Sequence, residues 1–268
     1  MADALFELKN VQFSYLGRIP ALCGVDLTVA KGSRIAVIGA NGSGKSTLLQ
    51  MLDGLIFPDQ GSIRAFGMEL KEGVFCDEDF SANFRKRVGL VFQNPDVQLF
   101  CPTVKEDILF GPLQLGLDRK KIEGRFAYLV EALAIQGLLE RPPHQLSIGE
   151  KRKVAIASVL IMDPEVLILD EPTAGLDPLT TRHIIDLLCD PSSDKTLITS
   201  THDLHIVEEI SNVVYVFGQD KRIVASGEPD KILKDEDLLR QNNLVHIHRH
   251  RHENKTHAHP HLHIEHHG

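Results

Sequence analysis

Apolar and polar positions alternate roughly along the first thirty residues. Residues 5–15 and 25–29 read as half-buried strands, separated by the turn residues Gly17, Pro20 and Gly24. Residues 34–38 form a short apolar run rich in β-branched side chains, the pattern of a strand buried on both faces. A glycine-rich loop follows at 39–44, then a helical pattern over 45–55, and strands are predicted at 62–66 and 88–92. From about Asn94 the period changes. Thr103 is placed to cap a helix through Leu109, and Asp118 to cap a longer one with Ile122, Phe126, Leu129, Val130 and Leu133 on one face. Pro142 and Pro143 break the chain, and 148–161 is helical again. Strand and helix patterns then resume: 166–169, 178–188, 196–200, 205–210, a hairpin at 213–217 and 222–225, and a closing helical piece at 230–241. Alternating strands and helices predict a mainly parallel sheet covered on both faces, with 94–163 as an all-helical insertion.

Composition narrows this picture without changing it. The chain has 268 residues, 43% apolar and 25% charged, close to the average of soluble globular proteins. No apolar run approaches the ~20 residues that span a bilayer, and the start lacks the basic and apolar regions of a secretory signal. The four cysteines (Cys23, Cys76, Cys101, Cys189) form no CxxC and read as reduced thiols in a cytosolic protein. A net charge of −8 argues against general nucleic-acid binding.

Chemistry enters at Gly39-Ala-Asn41-Gly42-Ser43-Gly44-Lys45-Ser46, which fits G-x-x-x-x-G-K-[ST] between a strand and a helix. Glycines let the backbone turn tightly and aim successive N–H groups at phosphate oxygens, and the next helix presents its positive end. Lys45 is expected to reach the β- and γ-phosphates of a nucleotide, and Ser46 to offer its hydroxyl to Mg²⁺. The apolar strand at 166–169 runs into Asp170 and Glu171, where open α/β sheets place ligands. Asp170 suits Mg²⁺, held through a water, and Glu171 suits the acceptance of a proton from an attacking water.

Taken in order, these motifs resemble the ATP-binding subunit of an ABC transporter over roughly residues 5–235. Tyr15 matches the aromatic that stacks on adenine, and Gln93 the glutamine that senses Mg²⁺ and water and links to the membrane partner. Leu146-Ser147-Ile148-Gly149-Glu150 sits where the family carries LSGGQ, with Ile148 for the first glycine and Glu150 for the glutamine. Asp177 resembles the loop that crosses the dimer interface, and His202 the histidine near the γ-phosphate. The resemblance implies an α/β fold: a P-loop ABC ATPase core with a mainly parallel sheet, an N-terminal antiparallel β part and the helical subdomain; composition adds a disordered His-rich C-terminal tail, too poor in large apolar residues to pack a core. It implies ATP hydrolysis with Mg²⁺, in which ATP lies between the Gly39–Thr47 loop of one chain and Ser147, Gly149 and Glu150 of a second ATPase subunit.

The stretch from Asn94 to Leu117 looks like the energy-coupling-factor group of importers. In that group the ATPase drives a transmembrane coupling protein paired with a substrate-binding membrane protein, at the cytoplasmic face of the membrane. Residues 1–245 are then the ATPase domain and 246–268 a flexible tail. Ten of the 14 histidines lie in that tail. His246, His248, His250 and His252 alternate, as do His257, His259, His261 and His263, so an extended chain puts each set on one side. Neutral imidazole suits nickel, zinc, copper and iron, whereas the hard cations Mg²⁺ and Ca²⁺ prefer oxygen, and short His-rich tracts are a compositional sign of metal binding. The combination points to a nickel or cobalt importer. Other readings stay open: a pH-sensitive tail with no metal role, an added tag, a vitamin importer of the same type, and a metal-storage or chaperone protein with a nucleotide-regulated domain.

Overall fold

The computed structural model describes residues 4–190, 194–252 and 255–262, with side chains as far as Val245. Strands β1 (Ala4–Tyr15) and β2 (Ile19–Ala30) form the first hairpin. β2 begins well before residue 25 because Leu22 and Cys23 pair with Phe13 and Gln12, carrying the ladder through Pro20 and Gly24. β3 (Arg34–Gly39) feeds α1 (Lys45–Leu52), which stops short of 55. Gly54 takes φ +68°, and the N–H groups of Gly54 and Leu55 return to the carbonyls of Met51 and Gln50, a left-handed helix stop.

β4 (Gln60–Ala65) and β5 (Met68–Glu69) complete an antiparallel sheet of order β2-β1-β4-β5. The sequence reading passes over α2 (Glu78–Arg87), capped by Asp77. Its polar face hides the motif, and Phe80 and Phe84 pack edge-on against Phe75. β6 (Val88–Val91) precedes the helices α3 (Val104–Gln114), α4 (Arg119–Ala132) and α5 (Ile148–Leu160). α3 runs past Leu109 to Gln114 with Pro112 inside its last turn, so it continues despite the N–H that Pro112 lacks. β7 (Val166–Asp170), α6 (Pro178–Leu188), β8 (Thr196–Thr201), α7 (Leu204–Ile210), β9 (Val213–Phe217) and β10 (Ile223–Gly227) follow. The closing helical piece divides into α8 (Pro229–Lys234) and α9 (Glu236–Gln241), because Asp235 ends the first and caps the second.

The second sheet runs β10-β9-β3-β8-β7-β6, parallel except for β10. Its central strands are buried on both faces. The antiparallel sheet and α1 enclose one apolar cluster around Phe6, Leu48 and Met51. The helices of 104–160 build a second against β6 and β7, and α7 to α9 a third against β3 and β9. Phosphate loop and carboxylate strand thus emerge at the same end of one sheet. The last strands, β11 (Val245–His252) and β12 (Lys255–Leu262), pair antiparallel with each other and join neither sheet. Their register sets His246, His248 and His250 opposite His261, His259 and His257. His263 lies outside the described residues. No helix among the described residues is long and apolar enough to cross a membrane.

Behind α1, Asp53 is buried, and Arg85 Nη1 donates to its Oδ2 at 2.9 Å and to its carbonyl at 2.6 Å. Burial pushes the Asp53 carboxyl up to about 7, and Arg85 pulls it only partly back. The folded state therefore binds this proton more tightly than the unfolded chain. The contribution to stability is full at low pH and is lost as pH rises through 7. Comparing wild type with Asp53→Asn by chemical denaturation, the wild-type advantage should shrink by roughly 3 kcal/mol from pH 5 to pH 8. A pH-independent difference would mean that Arg85 keeps Asp53 ionised throughout.

Candidate functional site

Two glycines shape the phosphate loop. A Cβ at Gly39 would lie 2.8–2.9 Å from Ser43 Oγ and the Phe217 backbone, and one at Gly44, with φ +113°, would meet the Ala21 carbonyl at 2.4 Å. Only glycine fits either place. Lys45, the first residue of α1, turns back so that its Nζ donates to the carbonyls of Gly39 (2.7 Å) and Ala40 (3.3 Å). It is buried and lies 4.0 Å from Glu171 Oε1. Burial lowers its pKa, while Glu171 and Asp170 act to raise it. The buried Ser43 hydroxyl has no hydrogen-bond partner among the described residues.

The loop borders a cavity of about 460 Å³, the size range of small-molecule sites. Tyr15, Asn41, Gly42, Ser43, Gly44, Lys45, Ser46, Thr47, Gln93, Asp170 and Glu171 all line it. Tyr15, 39% exposed, lines the cavity and holds its hydroxyl 3.1 Å from Thr47 Oγ1. Ser46, Gln93 and Asp170 contribute oxygen donors, the set a small hard cation such as Mg²⁺ requires.

The two acids are held from β8. Ser200 Oγ donates to Asp170 Oδ1, and the Glu171 N–H donates to the carbonyl of Ser200. Glu171 has φ 49°, a left-handed conformation uncommon outside glycine. Its carboxylate reaches Lys45 on one side, and its Oε2 meets His202 Nδ1 at 2.9 Å on the other. His202 lines a second cavity of about 500 Å³, with Glu171 as the wall common to both.

Ser147, Gly149 and Glu150 line neither cavity. They sit at the start of α5, where Ser147 and Glu150 form a reciprocal capping box: Ser147 N–H and Oγ each donate to Glu150 Oε2 at 2.8 Å. These bonds hold the Glu150 carboxyl below the usual carboxylate range. Ile148 stands 64% exposed between them. Asp177 caps α6 by accepting from Thr180 N. In the single chain these residues shape helix ends, so any role at a nucleotide needs a second chain. The side chains of His246 to His263 are not described, and among the described residues no group of three or more His, Cys, Asp or Glu is placed to hold a metal ion.

Sequence reasoning missed the braces. Gln98 accepts from Phe92 N and donates to Ala155 O and Ser158 Oγ, while Arg152 Nη1 donates to Phe92 O. Lys151 pairs with Asp96 at 2.7 Å. The loop carrying Gln93 is thereby tied to α5. The partners on α5 lie 55–60 residues along the chain from the loop, with no local pattern to announce them.

A family model described as ABC transporter matches residues 22–174. A nickel import ATP-binding protein of Rhodobacter capsulatus is 51% identical over 244 residues, covering 90% of this chain and 95% of the relative. An energy-coupling factor transporter ATP-binding protein of Methanothermobacter thermautotrophicus is 43% identical, covering 90% and 76%. Among solved structures, cbiO1 of Clostridium perfringens, part of an ABC transporter complex, superposes with a TM-score of 0.74 at 34% identity, covering 90% and 95%. A dimeric ATP-binding cassette in a post-hydrolysis state with ADP and Pi gives 0.75 at 25% identity, covering 84% and 98%.

Proposed function

The chain belongs to the ABC transporter ATP-binding family, and from that premise we propose that it energises the import of a transition metal ion, nickel or cobalt, through the membrane partners of an energy-coupling-factor transporter. The observation that carries the hydrolytic part is Glu171, a buried carboxylate between Lys45 and His202 at the wall of the phosphate-loop cavity. The loop N–H groups and Lys45 bind the triphosphate, and Glu171 orients water or accepts its proton. His202 holds the carboxylate in place. Ser46, Gln93 and Asp170 would hold Mg²⁺, which when bound neutralises charge on the phosphates. Ser147 and Gly149 of a second ATPase subunit, a further copy or a related chain, complete the site. Closure on ATP and reopening after hydrolysis is then a population shift linked to nucleotide, because only the closed pair makes both sets of phosphate contacts.

In this reading the chain works at the cytoplasmic face of the membrane against a transmembrane coupling protein and a substrate-binding membrane protein. Residues 1–245 are the ATPase unit, and 246–268 a metal-binding appendage on the side where the ion emerges. The identity to a nickel import subunit and the ten tail histidines support the choice of substrate. The test is elemental mass spectrometry of source cells with and without this gene at trace external metal. A selective fall in nickel or cobalt is expected. Unchanged metals together with a lost vitamin supply would move the substrate to the vitamin class.

The tail is tested on the purified protein. Removing residues 246–268 leaves Val245 in the core and should keep ATP hydrolysis within about twofold while abolishing most Ni²⁺ binding. Undiminished Ni²⁺ binding would place the metal elsewhere, and loss of hydrolysis would make the tail part of the ATPase.

A further inference from the structure

Fifteen residues line the phosphate-loop cavity, and the charged one among them that belongs to no motif is Lys221. It lies in the turn between β9 and β10, far along the chain from the loop. The sheet brings it there. β9 runs parallel beside β3 with Phe217 opposite Gly39, so the turn after Phe217 leaves the sheet next to the start of the phosphate loop. The turn is tied down: Lys221 N–H donates to the carbonyl of Gly218 and its carbonyl accepts from Cys23 N–H. Lys221 itself has φ 65°. That left-handed conformation is one that glycine adopts without strain and a long side chain does not.

The side chain goes to the loop. Lys221 Nζ donates to the carbonyl of Gly42. On the other side Lys45 Nζ occupies the carbonyls of Gly39 and Ala40. Lysine ammoniums thus hold three loop carbonyls, while the loop's N–H groups are the atoms a phosphate needs. An ammonium has three donors, so the bond to Gly42 leaves two for a ligand. The cavity also holds the carboxylates of Asp170 and Glu171, and Lys45 already lies beside Glu171. A polyanion entering this space meets one lysine already paired and needs further positive charge.

We infer that Lys221 is a further nucleotide-binding residue, bracing the phosphate loop through Gly42 and giving its remaining donors to the phosphates of bound ATP. The inference rests on the ATPase reading above. Tying the turn to the loop would not by itself require a cation at a strained position, and the lining of the cavity supplies the reason for one.

The test is equilibrium binding of ATP with Mg²⁺, measured calorimetrically on wild type, Lys221→Gln, Lys221→Gly, Lys221→Arg and Lys45→Ala. Lys221→Gln and Lys221→Gly should each weaken binding about tenfold, the loss of one charge-assisted contact, and flatten its dependence on salt. Lys221→Arg should stay within about threefold of wild type. The melting temperature without nucleotide should be unchanged or raised in Lys221→Gly, which relieves the left-handed φ. Wild-type affinity in both uncharged variants would overturn the inference and leave Lys221 as a turn fastener. That result is distinct from failure of the ATPase reading, in which wild type itself binds no ATP and Lys45→Ala changes nothing.

Discussion

Glu171→Gln is expected to lower ATP hydrolysis by roughly 10²–10³-fold while leaving ATP binding near wild type. The substitution keeps the size of a side chain that is only 5% exposed. It removes the negative charge that faces Lys45 at 4.0 Å and His202 at 2.9 Å, and with it the group able to accept a proton from water. Nucleotide contacts from the loop are untouched. A second effect follows if hydrolysis is what opens the closed pair: the variant should elute as a dimer with ATP and Mg²⁺, and as a monomer with ADP. Single-turnover hydrolysis and size-exclusion chromatography read the two effects separately. Hydrolysis at the wild-type rate would move the base role to another group, with Asp170 next in line. A slow variant that never dimerises would detach subunit closure from the chemistry.

Lys45→Ala should be more damaging at the binding step. The ammonium is buried among carbonyls and carboxylates, so its removal has two consequences. The triphosphate loses its main positive partner, and Asp170 and Glu171 remain to repel it. Hydrolysis should fall by about 10³-fold or more, in line with removing a preorganised donor at developing charge. ATP affinity should weaken about 10–100-fold, since a charge-assisted contact is lost and an uncompensated acidic pair is left. Steady-state hydrolysis and calorimetric titration measure both quantities. Retained hydrolysis would show that the loop backbone alone stabilises the transferred phosphoryl group.

The strand–loop–helix unit of the phosphate site was legible because its chemistry is local. Glycines, lysine and hydroxyl fall within one loop, and each residue type answers a steric or electrostatic demand of that loop. The carboxylate strand was legible for a similar reason: an apolar run ending in two acids. Helix ends were less so. The apolar pattern carries α1 too far, because Gly54 stops the helix while Leu55 continues the pattern. α2 was missed because its polar positions outweigh Phe80 and Phe84, whose burial depends on Phe75 nearby in space. Lys221, Gln98 and Arg152 lay beyond reach for one physical reason: their partners are brought to them by sheet order or helix packing. The signature residues were read from resemblance, and the single chain shows them as a helix cap.

The tie between the Gln93 loop and α5 bears on how two active sites could communicate. Gln98, Arg152 and Lys151 fasten that loop to the helix that Ser147 caps. Gln93 lines the chain's own phosphate-loop cavity, and Ser147 is exposed at the start of α5. In a head-to-tail pair, one stiff element would then touch both bound nucleotides, its own and its neighbour's. Loss of a phosphate at one would tilt the lever seen by the other, and the two catalytic cycles would run in cooperation, with binding free energy shared between them.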